Sequence, residues 1–127
     1  MEKLLELAAT LGTEIRNHER YARLREAEQK VLADPQAKEI QNQLSGQTRK
    51  VVELERSMRP IEVSDKRELA RLQDAARSNP LIQGLIRAQA DYFEMMNRIN
   101  DAILEALRPE GEEEQDEEEQ GPKIQVP

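Results

Sequence analysis

The chain has 127 residues, about one domain's worth, with 35% charged residues, 2% aromatics, five glycines, six prolines and no cysteine. So few turn glycines and aromatic residues exclude a β-sandwich or barrel, and the absence of cysteine excludes disulfides, zinc–thiolate sites and thiolate-held iron–sulfur clusters. The net charge of −7 is uneven: residues 1–108 carry 18 acids and 18 bases, whereas 109–127 carry eight acids against Lys123.

Helix 1 is predicted over Glu2–Arg16, where Leu4, Leu7, Leu11 and Ile15 make one stripe at helical spacing. Gly12 interrupts it at a cost of about 1 kcal/mol against alanine, which points to close packing there. The pattern is not that of a signal peptide, and the expected location is the cytoplasm. Helix 2 is predicted over Glu19–Leu32, with Asn17 or His18 at its start and Tyr21, Leu24, Ala27 and Val31 inward. Asp34-Pro35 then reads as an N-cap followed by the proline favoured at a first helical position.

Helix 3 is predicted over Pro35–Met58, on a heptad frame of Ala37, Ile40, Leu44, Gln47, Val51, Leu54 and Met58. Gly46 inside it marks a contact or a bend. Arg59–Val63 is the one clear loop, and Ser64 is the expected N-cap of helix 4 over Asp65–Arg77. After Ser78-Asn79-Pro80, helix 5 is predicted over Pro80–Leu107, roughly 40 Å long. Its adjacent apolar pairs Leu81/Ile82, Leu85/Ile86 and Tyr92/Phe93 widen its apolar face beyond one seam. Asp34-Pro35 and Asn79-Pro80 stand 45 residues apart, each between a shorter and a longer helix. An internal duplication and a chance likeness of two helical hairpins both account for that echo.

These elements predict an all-α fold of about five helices. The two long helices, 3 and 5, are expected to lie antiparallel with the shorter ones packed on them. The folded domain is expected at 1–108. The segment 109–127 has too little apolar surface to offset the entropy of ordering, so a disordered acidic tail is expected. The surplus width of helix 5 calls for a cover. Leu85, Tyr92, Phe93, Met96 and Ile99 form a candidate interface for a second copy or another protein.

No motif for chemistry emerges. The lone histidine, His18, sits at a helix start, and neither GxxxxGK[ST], GxGxxG nor HExxH occurs. No catalytic, metal or cofactor residue is assigned, and a non-enzymatic protein is expected. Glu19–Arg23, Glu26–Lys30, Glu55–Arg59 and Glu94–Arg98 read as solvated i,i+4 pairs. Arg16, Arg20 and Arg23 share one helical face and are the candidate basic face, with Lys66, Arg67 and Arg71 as a second cluster. A neutral folded part with few aromatics argues against direct sequence-specific nucleic-acid binding. No apolar run approaches the length of a membrane span.

Several residues also carry a family resemblance. Leu11-Gly12, Ile15, Tyr21, Ala27 and Asp34-Pro35, followed by Asn79-Pro80-Leu81-Ile82, Ala88, Ile99-Asn100 and Ile103, resemble the bacterial YlbF/YmcA (Com_YlbF) family over about residues 3–107. The resemblance implies an all-helical, dimer-forming cytoplasmic regulator that assembles with related helical proteins and has no catalytic residues. It implies a role in competence, sporulation and biofilm formation, through a complex that modulates messenger RNA processing by ribonuclease Y. Complexes of that family have been associated with iron–sulfur clusters; a chain without cysteine brings no thiolate to one. The acidic extension is a departure from the family pattern. A regulator or adaptor acting through protein–protein contacts is therefore the leading expectation. The alternatives are a holdase-like chaperone or secretion partner, which would suppress aggregation of unrelated clients, and an RNA-associated accessory protein using Arg16, Arg20 and Arg23.

Overall fold

The computed structural model describes residues 1–109. Five helices follow one another: α1 (Glu2–Arg16), α2 (Glu19–Ala33), α3 (Pro35–Arg56), α4 (Val63–Ser78) and α5 (Pro80–Leu107). No strand occurs among the described residues. The expected acidic tail, apart from its first residue Pro109, lies outside them. The chain divides into two compact units, Met1–Tyr92 and Phe93–Pro127, with the boundary inside α5.

Three helix starts in the first unit have a side-chain cap. His18 is the N-cap of α2, its Nδ1 accepting from the Arg20 amide at 3.0 Å. Asp34 caps α3 by accepting from the Ala37 amide at 2.8 Å, with Pro35 at the first helical position. Asn79 does the same for α5, accepting from the amides of Leu81 and Ile82 at 3.0 and 3.1 Å. His18 and Asp34 each occupy one of the orphan amides of a helix N-terminus, and Asn79 occupies two. Helix α4 departs from expectation. It begins at Val63, one residue before Ser64, and its N-cap Glu62 makes no side-chain capping bond. Asp65 in its first turn provides the favourable negative charge instead.

Helix α3 ends at Arg56 and not at Met58. The Met58 amide donates to the Glu55 carbonyl and the Arg59 amide to the Leu54 carbonyl, at 3.1 and 2.9 Å. This is the double bond of a Schellman stop, which needs a left-handed residue just past the cap. Met58 supplies it, at φ 57°.

The core of the first unit is Val31 of α2, Ala37 of α3, Ala76 of α4, and Ile82 and Leu85 of α5. Leu24, Ala27, Ile40, Leu44 and Leu81 pack around it. Helices α3 and α4 run antiparallel: Ala37 and Ala76 share the core at one end, and Gln47 reaches Asp65 at the other. Helix α2 runs antiparallel to the first half of α5 by the same criterion, since Val31 meets the cluster of Ile82 while Arg20 and Tyr21 reach Asp91 and Tyr92. Helix α3 also meets the first half of α5, its Ala37, Ile40 and Leu44 packing in one cluster with Ile82 and Leu85. The closest backbone approaches of α3 are to α4 and α2. One residue between α2 and α3, and one between α4 and α5, bring the ends of those helices together, and residues 57–62 let α4 fold back along α3.

The 45-residue echo extends to packing. Val31 and Ala76 are both buried, as are Ala37 and Ile82, and each pair is separated by that interval. Each cap also bonds the amide three residues on, Asp34 to Ala37 and Asn79 to Ile82. Gly12 and Gly46 behave otherwise than expected, for a Cβ added at either would meet nothing within 4 Å. Neither marks a close contact.

In the second unit the described residues are the C-terminal half of α5 and residues 108–109. Glu94 and Arg98 lie 3.8 Å apart and Glu105 and Arg108 3.0 Å apart, one helical turn in each case.

Candidate interaction surfaces

The residues of the candidate interface differ in exposure. Leu85 is buried in the core of the first unit, on the same helical stripe as Ile82, so it faces inward. Tyr92 is half-buried, its ring centroid 6.1 Å from that of Tyr21 with the planes tilted by 55°. That spacing is an ordinary aromatic packing distance and ties α5 to α2. In the second unit Phe93 is largely exposed, while Met96 and Ile99 are half-buried. Ile103, Leu104 and Leu107 continue an exposed apolar run toward the end of α5.

The apolar stripe of α1 is left uncovered in the first unit. None of the 15 residues of α1 is buried. Leu4, Leu5 and Leu7 are each more than half exposed, and Leu11 and Ile15 are half-buried. The stripe itself was readable, but period alone does not say whether a partner helix covers it. Val52, Met58 and Val63 add a smaller exposed apolar group around the α3–α4 loop.

The candidate basic face is largely spoken for. Arg20 is half-buried and donates from Nη1 to the Asp91 carbonyl at 3.0 Å, so it struts α2 against α5. Arg23 pairs with Glu19 on its own helix. Arg16 is exposed at the end of α1. In the second cluster Arg71 is bound to Glu68, while Lys66 and Arg67 are exposed.

Between α2 and the first half of α5 runs an open groove of about 320 Å³. Half-buried Ala27, Gly84 and Ala88 line it with exposed Arg23, Lys30 and Arg87. Glu26 and Asp91 line it too, and Lys30 lies 3.4 Å from Glu26, so the charges nearly balance. The groove presents no concentrated positive field for a phosphate.

Among the described residues one charged side chain is buried. Asp65 is only 8% exposed, its carboxylate 2.9 Å from Lys50 Nζ, while its backbone carbonyl accepts from Gln47 Nε2 at 3.0 Å. The Lys50 hydrogen bond holds the carboxyl below the ordinary carboxylate range, against the opposing effect of burial. This pair locks α3 to α4. Among the described residues no three His, Asp or Glu side chains come together as a metal site. With no cysteine in the chain, the residues present do not fit a thiolate-ligated cluster. No helix among the described residues is long and apolar enough to cross a membrane.

A comparison with protein families matches residues 4–108 to one described as control of competence regulator ComK, YlbF/YmcA. No curated protein matches the chain.

Proposed function

The chain belongs to the YlbF/YmcA family, and from that premise we propose that it is a non-enzymatic cytoplasmic regulator that works by binding other proteins. The family's link to control of the competence regulator ComK supports the regulatory role. The mechanism is presentation of apolar helix surface, to a second copy or to related helical chains. The observation that carries it is α1, whose leucine stripe is left uncovered along a helix without one buried residue. Stripes of that kind are ordinarily covered in the working state of a protein. Modulation of messenger RNA processing within a multiprotein complex is the finer reading, supported by the family relationship. The engagement of Arg20 and Arg23 within the fold makes the RNA-associated alternative the weaker one.

Sedimentation velocity tests the proposal, using the full chain alone and mixed with a related family member. The parent is expected to sediment as a dimer or a mixed complex. Leu4→Ser with Leu7→Ser is expected to leave monomer with unchanged helicity. A parent that stays monomeric at micromolar concentration in both settings would refute it.

A further inference from the structure

Met58 is poorly placed for stability in two respects. It occupies the left-handed position of a Schellman stop, where glycine is the usual residue and a side chain costs roughly 1–2 kcal/mol. Its side chain is 92% exposed, so burial returns nothing for that cost. An exposed residue held in an unfavourable backbone conformation directs attention to what its side chain can do. The side chain is a thioether, held out in solvent on the longest interhelical loop among the described residues. The chain has three other methionines. Met95 is buried, Met96 is half-buried, and Met1 is the exposed first residue.

We propose that Met58 is an oxidation site for hydrogen peroxide or a related hydroperoxide. A sulfur lone pair attacks one peroxide oxygen, the O–O bond breaks, and a proton shift releases water while the sulfur becomes a sulfoxide. Sulfur loses two electrons and the peroxide gains them. The product places a polar S=O group at the α3–α4 loop, in place of its most exposed apolar side chain. The core is untouched, because Met58 contributes nothing to it.

The test is a timed hydrogen peroxide treatment of the full chain. It is read by residue-resolved peptide mass spectrometry and circular dichroism, with Met1 as the standard for a fully exposed thioether. Met58 sulfoxide is expected to form at a rate close to that of Met1 and roughly tenfold faster than Met95, since susceptibility follows exposure. Helicity is expected to be unchanged while only Met58 and Met1 are modified, and Met58→Leu removes the product. Oxidation of Met58 no faster than that of Met95, or loss of helicity in step with Met58 oxidation, would overturn the proposal.

Discussion

Replacing Met58 by glycine is expected to stabilise the protein, although it deletes a whole side chain. The magnitude follows from two opposing effects. The left-handed backbone at φ 57° costs an L-residue roughly 1–2 kcal/mol, which glycine does not incur. Glycine loses more backbone freedom on folding, which takes back roughly 0.5–1 kcal/mol. Loss of side-chain burial adds almost nothing, because the side chain is in solvent. The midpoints of the two effects leave a net gain of about 0.75 kcal/mol, within a span of roughly 0–1.5 kcal/mol, equivalent at the midpoint to a rise of roughly 3–6 °C in Tm for a domain near 100 residues. Met58→Ala is the control, because it removes the side chain and keeps the strained backbone; its Tm should stay close to that of the parent. Differential scanning calorimetry of the three proteins decides the matter. If Met58→Gly lowers Tm, or if Met58→Ala raises it equally, then the left-handed backbone is not the source of the cost.

Three further outcomes follow from the same structure. Gly12→Ala and Gly46→Ala are each expected to gain about 1 kcal/mol in chemical denaturation, since both sit inside helices with open space at the Cβ position; a loss at Gly12 alone would reveal a partner seated on α1. Leu72→Ala, at a fully buried position of α4, is expected to cost about 2–5 kcal/mol, whereas Leu4→Ala on exposed α1 should change the monomer by less than about 0.5 kcal/mol, and equal costs would contradict the assigned burial. The carboxyls of Asp65, bonded to Lys50, and of Glu68, bonded to Arg71, lie below their ordinary values in the folded chain. Their stabilisation is therefore complete above the unfolded carboxylate value, near pH 4, and is lost as pH falls through the lower folded value. Urea midpoints at pH 7 and pH 3 should converge for Asp65→Asn relative to the parent, and an identical acid loss in both would refute the assignment.

Most of the local structure was legible in the residues. Asp34-Pro35 and Asn79-Pro80 announce helix starts because a carboxylate or amide oxygen and a proline are the groups an N-terminus needs. Ser64 misled the reading because Asp65 took the place of a cap, its carboxylate recruited by Lys50 from the neighbouring helix. Met58 fitted the heptad frame, yet the chain stopped there, since a Schellman turn can form at a cost without glycine. Of the candidate interface, Leu85 proved to be core and Tyr92 a packing residue, while the stripe of α1, legible from its period, proved to be exposed at Leu4 and Leu7.

The order of the residues alone determined that this protein is helical, where four of its five helices begin, and that no thiol chemistry is open to it. These properties depend on neighbours within one or two turns or on composition alone. Which helix lies against which, and hence which apolar stripe is hidden and which arginine is free, was decided only by tertiary structure. The helical period marks an apolar side without naming its partner, and a pairing such as α3 with α4, or the strut from Arg20 to Asp91, joins residues that are distant in the chain.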